Sequence, residues 1–209
     1  MGRRIKEDPQ IHRKRMATAA GELFEKKGIS QTSMDEVAAR AGYSKATLYA
    51  YFNSKEEIVA YLVLGSMKSL KERIIQAVEG SSDPRTQFLN IGNAMASYEQ
   101  EHPFYFRLLL ENIHVELENK KVSEAEQESF QVGDEINEYL VNYFLTGMKQ
   151  GKFKVQTNIK AVIYSIWGMM LGLVTLSSTK EQYIDEKMHL SKRDFLNKGF
   201  QVLYGAIEK

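Results

Sequence analysis

The first helix of the chain is predicted from its start and stop signals and from the apolar positions between them. Asp8 precedes Pro9, and this pair is typical of a helix N-terminus because Asp caps free backbone N–H groups and Pro fits the first helical position. Gly28 predicts the end of the same helix. The apolar residues between these signals are predicted to lie on one face of the helix: Ile11, Ala19, Leu23 and Phe24.

Two shorter helices are predicted directly after the first. Ser33 and Glu36 have the spacing of a capping box, in which each side chain bonds the backbone N–H of the other residue. The helix that they open ends at Gly42, and Ser44 is placed to cap the next helix, residues 45–52. A supporting helix followed by two helices around a glycine turn is the arrangement of a helix-turn-helix.

The remainder of the chain repeats apolar residues near a 3.6-residue period and therefore predicts long helices. A second capping box at Ser54 and Glu57 opens this part, and residues 80–84 form its clearest break. The predicted helices cover residues 55–79, 88–102, 106–117, a stretch within 122–150, 157–178 and 195–207. The pattern predicts an all-α fold.

Charge is distributed unevenly along the chain, although the formal net charge is only +1. Residues 1–55 carry eleven Lys and Arg against six Asp and Glu, whereas residues 56–209 carry seventeen against twenty-one. A head of net charge +5 on a body of −4 is typical of a nucleic-acid-binding protein, because phosphates attract the basic part. A solvated surface is the alternative interpretation.

Composition excludes several classes of site. The chain contains no cysteine, which removes thiol nucleophiles, cysteine metal sites and disulfides. Without a secretory start, a reducing cytoplasm is the expected location. The most apolar run, residues 161–176, is shorter than the roughly 20 residues of a membrane span and follows Lys160. A buried helix of a soluble protein is therefore expected there.

Enzyme motifs are missing from the sequence. It has no Gly-x-Ser-x-Gly, P-loop or Gly-x-Gly-x-x-Gly pattern. Glu111 and His114 have the spacing of half a helical metal site, but no second copy is present. We therefore expect neither an enzyme nor a metal or other cofactor.

Residues 32–57 carry a specific motif. The segment reads Thr-Ser-Met-Asp-Glu-Val-Ala-Ala-Arg-Ala-Gly-Tyr-Ser-Lys-Ala-Thr-Leu-Tyr-Ala-Tyr-Phe-Asn-Ser-Lys-Glu-Glu and resembles the DNA-binding signature of the TetR/AcrR family of bacterial regulators. The motif covers about an eighth of the chain, 26 of its 209 residues. Tyr43 departs from the small aliphatic residue usual in the family, and Ala46 from a frequent glycine, which leaves operator sequence open.

The resemblance implies a division of roles within a DNA-binding domain of residues 1–55. It places Leu48 and Phe52 in the core and implies base contacts from the helix after the glycine turn, with phosphate contacts from its flanks. The basic residues Arg3, Arg4 and Lys6 form a flexible arm that reaches phosphates or a minor groove; a tail without contacts is the alternative. The DNA-binding residues implied are Thr32, Ser44, Lys45, Ala46, Thr47, Tyr49, Tyr51 and Lys55.

The resemblance also implies that residues 56–209 bind a ligand and form a homodimer. The last two long helices would pair with a second copy, and Gly168 and Gly172 would permit close approach of helices. The expected interface residues are Ile166, Met170, Gly172, Val174, Phe195, Gly199, Phe200 and Leu203. The candidates for a pocket that holds a hydrophobic or aromatic inducer are Met67, Met95, Tyr98, Phe106, Leu110, Phe130, Tyr139, Tyr143 and Trp167. Aromatic and Met residues in such a pattern are individually more often core positions than ligand contacts.

Three functions are therefore compared. The first is a homodimeric regulator, a repressor in the simplest form, that leaves a palindromic double-stranded DNA operator when a small ligand binds. The second is a DNA-binding protein of the same fold without an inducer, either a chromosome organiser or a constitutive regulator. The third, a helical small-molecule enzyme, has to treat the whole DNA-binding motif as coincidence.

Overall fold

A computed structural model describes residues 7–112, 122–154 and 158–209. Within these ranges the chain forms ten helices and one isolated antiparallel bridge, so the predicted all-α fold is confirmed. The helices are α1 Pro9–Lys27, α2 Met34–Ala41, α3 Lys45–Tyr49, α4 Lys55–Glu79, α5 Pro84–Glu101, α6 Pro103–Asn112, α7 Glu124–Lys149, α8 Ile159–Thr179, α9 Glu181–Met188 and α10 Lys192–Ile207. The predicted arm residues Arg3, Arg4 and Lys6 lie outside the described residues, as do His114 and the end of the helix predicted over residues 106–117.

The chain divides into two compact units. The first unit comprises Met1–Ser66 with Arg107–Ser129, and the second comprises Met67–Phe106 with Phe130–Lys209. The predicted boundary between residues 55 and 56 lies within the first unit, because α4 contributes residues to both.

The first unit has a dense apolar core beneath its helix-turn-helix. Leu48 and Phe52 are both fully buried, as predicted, together with Met16 and Ala20 of α1 and Val37 of α2. Of the predicted α1 face, Ala19 and Phe24 are buried, but Ile11 is 43% exposed and Leu23 is half-buried. The sequence prediction for α1 is therefore correct for the C-terminal half of its apolar face and wrong for Ile11.

The third helix ends earlier than predicted. α3 stops at Tyr49. The N–H of Ala50 is shared between the carbonyls of Ala46 and Thr47, each at 3.2 Å, and the N–H of Tyr51 bonds to the carbonyl three residues back at 3.0 Å. This tighter turn brings Phe52 into the core. The sequence alone does not reveal the change because residues 45–52 carry no Gly or Pro.

The predicted second capping box is formed only in part. The N–H of Glu57 donates to Ser54 Oγ at 3.3 Å, but the Glu57 carboxylate accepts from the N–H of Asn53 at 2.8 Å instead of that of Ser54. The Glu57 side chain therefore caps the backbone N–H of Asn53, one residue before the N–H that the capping box predicts.

Helices α5, α8 and α10 pack together in the second unit. Phe200 of α10 lies so close to Gly92 of α5 that a Cβ at Gly92 would meet its ring at 2.7 Å. The ion pair between Lys192 and the largely buried Glu99 measures 3.0 Å, and Lys192 also donates to Ser178 at 2.8 Å. Apolar packing and a partly buried ionic contact together hold this unit.

Two features of the second unit differ from the prediction. Helix α9 was not predicted because Ile184 is its one buried residue, so no apolar stripe marks it. α10 begins at Lys192 with Ser191 as N-cap, ahead of its first apolar residue Phe195. The sequence pattern therefore revealed the buried helices and missed a surface helix.

Candidate nucleic-acid interface

The turn between α2 and α3 requires a glycine for its backbone conformation. Gly42 has φ +76° and ψ 28°, in the left-handed region that side chains other than glycine rarely adopt. The N–H of Tyr43 then bonds to the carbonyl of Ala38 at 2.9 Å and closes the end of α2. The predicted capping box at Ser33 and Glu36, which starts the same helix, is confirmed.

α3 presents its leading face to solvent. Ser44 caps the helix by accepting from the N–H of Thr47 at 3.1 Å, and its hydroxyl lies 2.7 Å from that of Thr47. Lys45 and Ala46 are exposed and Tyr49 is 42% exposed, whereas Leu48 on the opposite face is buried. Small and polar groups on an exposed helix face suit a DNA major groove about 12 Å wide.

Lys45 already has an acidic partner. Its Nζ lies 2.7 Å from a carboxylate oxygen of Asp35, and both side chains are more than 60% exposed. The hydrogen bond to Asp35 raises the pKa of Lys45. The exposed cation is therefore shared with a neighbouring carboxylate on α2, a pairing that the sequence analysis did not anticipate.

Two residues implied as phosphate ligands have other partners in the structure. Thr32 is 2% exposed, and its hydroxyl donates to the carbonyl of Gly28 at 2.9 Å. Lys55 Nζ donates to the carbonyls of Ile29 at 2.7 Å and Ser30 at 3.4 Å. The Thr32 hydroxyl is therefore buried and bonded within the fold, whereas the Lys55 ammonium is bonded to two carbonyls at a half-buried position.

His12, a residue absent from the predicted interface, lies beside both Tyr51 and Tyr43. The ring of His12 is 6.2 Å from that of Tyr51 and 5.7 Å from that of Tyr43. Tyr43 is the departure from the family pattern noted above, and its half-buried ring meets α1 rather than the interior of the turn. The signals in the sequence that could have indicated this contact are the unusual Tyr43 and the polar His12 in the first predicted helix.

Arg13 joins α1 to the start of α4. Its guanidinium carbon lies 5.1 Å from the ring centres of both Phe52 and Tyr61, and one nitrogen is 3.5 Å from Glu57. The Nε atom has no hydrogen-bond partner among the described residues. Cation–π contact therefore contributes to the position of Arg13, with a magnitude of about 0.5–2 kcal/mol.

The pocket residues implied by the resemblance fall into separate environments. Tyr143 and Trp167 line an apolar cavity of about 20 Å³ among α5, α7 and α8, which is room for about one water molecule. The hydroxyl of Tyr143 donates to the carbonyl of Pro84 at 2.6 Å, and burial raises its pKa. Met67, Met95, Tyr98 and Phe106 are buried, while Leu110 and Tyr139 are half-buried. Phe130, predicted to line the pocket, is instead 37% exposed at the surface.

The implied interface residues also divide into two sets. Ile166, Met170, Val174 and Phe200 are buried within one chain, so they provide no surface for a second copy. Gly172 is exposed, and Phe195, Gly199 and Leu203 are half-buried, with Gly199 closely covered by Leu173.

α8 is less covered than the sequence analysis expected. By length and composition it is apolar enough to cross a membrane, which by itself is weak evidence for a span. Only 22% of its most apolar 18-residue window is buried within the chain. Its exposed large apolar side chains are Tyr164, Met169 and Leu176. One chain therefore leaves part of this predicted buried helix uncovered.

Within the described residues no group of three or more His, Asp and Glu side chains is placed to hold a metal ion. Glu111 of the half-motif is exposed, and its partner His114 is outside these residues.

Comparisons with known proteins agree with this geometry. Residues 17–62 match the sequence model described as bacterial regulatory proteins, tetR family. The HTH-type transcriptional activator FasR of Mycolicibacterium smegmatis is 31% identical over 54% of this chain and 51% of its own length. The HTH-type transcriptional regulator TtgR of Pseudomonas putida is 32% identical over 40% of this chain and 39% of its own length. The chain thus spans about half or less of these relatives.

A solved structure extends the similarity of fold to nearly the whole chain. The TetR family transcriptional regulator PfmR of Thermus thermophilus has a TM-score of 0.67 and 24% identity, covering 91% of this chain and 97% of its own. The helix-turn-helix of this chain is similar to that of bacterial transcriptional regulators. Similarity to the tetR family is therefore shown for residues 17–62, and similarity of fold for most of the chain.

Proposed function

We propose that the protein is a transcriptional regulator that binds a palindromic operator as a homodimer and represses until a small apolar or aromatic ligand releases it. The observation that carries the DNA-binding part is the exposed face of α3, with Lys45, Ala46 and Tyr49 presented beyond a buried Leu48. Because its operator would lie in the genome, the protein would act in the cytoplasm.

In this proposal α3 enters the major groove and its side chains choose the sequence. Thr47 and Tyr49 read base edges, because they stand on the exposed side of the helix or at its margin. Lys45, Tyr51 and Lys55 contact phosphates, which contribute affinity without sequence preference. Release of counterions makes such binding fall steeply with salt.

A second copy of the chain is the proposed cover for the exposed apolar surface of α8 and α10. Val202 of α10 is 74% exposed, and a Cβ at Gly168, Gly172 or Gly205 would meet nothing within 4 Å. Small residues with open space above them let two helices approach closely, and a two-fold pair of heads matches a palindrome.

Ligand release requires the second unit to open. The apolar cavity of about 20 Å³ is far below the roughly 300–1,000 Å³ of small-molecule sites. A ligand that enters between α5, α7 and α8 therefore selects an expanded state of this unit. Because coupling is reciprocal, operator DNA weakens ligand binding by the same factor. α4, which contributes residues to both units, is the proposed transmitting element.

The DNA-binding proposal is tested by selecting fragments of the source genome with the purified protein at low and high salt. We expect a palindrome that is lost at high salt, loss of its recovery in Tyr49→Ala, and full recovery in Tyr183→Ala. Tyr183 is a matched control because it is 56% exposed in α9. Identical fragments from wild type and Tyr49→Ala would refute the assigned face.

The dimer is tested separately by light scattering. Val202→Glu and Gly172→Glu are expected to give monomers, whereas Leu145→Glu, at a 38% exposed position of α7, retains the dimer. A monomeric wild type would contradict the homodimer. A charge at the fully buried Phe200 is unsuitable because it would disrupt the fold of the chain itself.

A DNA-binding protein without inducer is the second candidate, and the small size of the cavity favours it. Thermal unfolding in the presence of aliphatic acids and aromatic compounds distinguishes the two. Stabilisation by a compound that also lowers operator affinity supports the inducer. Uniform absence of stabilisation, with operator binding intact, favours the second candidate.

A further inference from the structure

His12 and Tyr43 form a hydrogen-bonded pair at the edge of the helix-turn-helix. Nδ1 of His12 lies 2.8 Å from the hydroxyl of Tyr43, and the two rings meet edge to face. The pair joins α1 to the residue that follows the Gly42 turn. Tyr43 therefore sets the position of the His12 ring.

The hydrogen-bond directions follow from the neighbouring groups. Arg15, which can only donate, is hydrogen-bonded to Tyr43 and Glu7, and these bonds raise its pKa. The Tyr43 oxygen thus accepts from Arg15, and its O–H can donate to Nδ1 of His12 in the tautomer that leaves Nδ1 without a proton. In the neutral ring the proton is then on Nε2, which is available to an acceptor from outside.

The carboxylate nearest to His12 is engaged by Arg15 in the free protein. Glu7 is 3.7 Å from Nδ1, but its carboxylate already accepts two hydrogen bonds of 2.9 Å from Arg15. The other titratable groups that face the ring are Tyr43 and Tyr51. Among the described residues no carboxylate is therefore dedicated to His12, and the side chain is 26% exposed.

The position of Tyr51 connects this cluster to the DNA surface. Its ring is 6.2 Å from that of His12, and in the proposed function Tyr51 contacts a backbone phosphate. A phosphodiester bound by the Tyr51 hydroxyl would come near the exposed edge of His12. A nearby negative charge favours the protonated form of an imidazole.

We propose that His12, Tyr43 and Tyr51 form a phosphate subsite for the DNA backbone, in which Tyr43 positions His12 and His12 takes up a proton from solvent when DNA binds. This inference rests on the proposed function. The DNA-bound state holds more protons than the free state, so operator affinity rises as pH falls. His12 is the only histidine in residues 1–66, which isolates its contribution within that part of the chain.

The test measures operator affinity by fluorescence anisotropy between about pH 6 and pH 8, the range in which imidazoles titrate, at constant ionic strength. One proton per head limits the gain to about tenfold per pH unit for each head. For wild type we expect a several-fold gain at the lower pH. His12→Gln is expected to remove this pH dependence, and His12→Lys to bind tightly and independently of pH.

Tyr43→Phe tests the positioning role, since it retains the ring and removes the hydroxyl. We expect a smaller pH dependence than in wild type with an unchanged circular dichroism spectrum. His189→Asn is the control, because His189 has φ +54°, which Asn tolerates, and lies outside residues 1–66. This control is expected to keep the wild-type pH profile.

The possible failures are distinguishable. A wild-type pH dependence that persists in His12→Gln, or operator binding that is independent of pH in wild type, overturns the subsite. A wild type that fails to bind any operator at every pH refutes the proposed function instead.

Discussion

The ammonium group of Lys55 lies 2.7 Å from the carbonyl oxygen of Ile29 and ties the start of α4 to the turn that follows α1. A second carbonyl, that of Ser30, is 3.4 Å away. The family resemblance implies that Lys55 binds a phosphate. An ammonium has three N–H donors, so one donor is left for DNA while the other two hold the fold.

Lys55→Ala is expected to destabilise the protein as well as weaken DNA binding. Two carbonyls lose a charged donor, which costs about 1–3 kcal/mol of the free energy of unfolding. Urea denaturation measures the change. Lys45→Ala is the control, since its exposed ion pair with Asp35 contributes about 0–1 kcal/mol. Equal stabilities of the two variants would show that Lys55 serves DNA alone.

Asp35→Asn is expected to strengthen binding to DNA of any sequence. The substitution removes a negative charge beside α3 and leaves Lys45 without its partner. Because an exposed ion pair contributes about 0–1 kcal/mol, DNA affinity is expected to rise about threefold. Anisotropy with a scrambled duplex measures it. Glu25→Gln removes an equal charge from an exposed position of α1 and controls for net charge. An equal gain in both variants would contradict a specific effect of the Lys45 pair.

Acid is expected to weaken the capping of α2. Hydrogen bonds from Lys27 and from Ser33 lower the pKa of Glu36 from 4.5 to about 2. Because the folded-state pKa is depressed, this contribution is present above pH 4.5 and is lost as pH falls towards about 2. Glu36→Gln should therefore lose less stability than wild type over that window in thermal unfolding followed by circular dichroism. Parallel curves for the two proteins would exclude this contribution.

Gly147→Ala is expected to destabilise the second unit. A Cβ at this position of α7 would overlap the ring of Phe153, which is itself packed between Tyr143 and Phe144. Overpacking of this kind costs about 1–3 kcal/mol. Gly133→Ala on the same helix meets only Met67 at 3.5 Å and should be tolerated or stabilising. Chemical denaturation compares them, and equal midpoints would mean that the Phe153 ring moves freely.

The helix boundaries show which signals in a sequence are reliable. Asp8, Ser33, Ser44 and the Gly42 turn act within a few residues of where they stand, and the structure confirms each of them. α9 was missed because a polar surface helix leaves no apolar period. Local chemistry therefore predicts helix ends, while periodicity predicts only the helices that are buried.

The candidate site was predicted less completely than the fold. The exposed positions of α3 follow from the helical period, but the partners of Thr32, Lys45 and Lys55 come from segments up to 26 residues away. His12 and Tyr43 are 31 residues apart and meet only through the packing of α1 against the turn. Such pairs depend on the three-dimensional path of the chain.

The sequence by itself determined the all-α fold, the position of the helix-turn-helix and the buried apolar face of each long helix, because these depend on contacts within a few turns of one helix. Only the tertiary structure decided which exposed groups are free. It placed Thr32 in the core, joined Lys55 to the turn after α1 and buried Phe200 against Gly92 within one chain. The physical reason is that a side chain's solvent access and hydrogen-bond partners are set by neighbours distant in sequence.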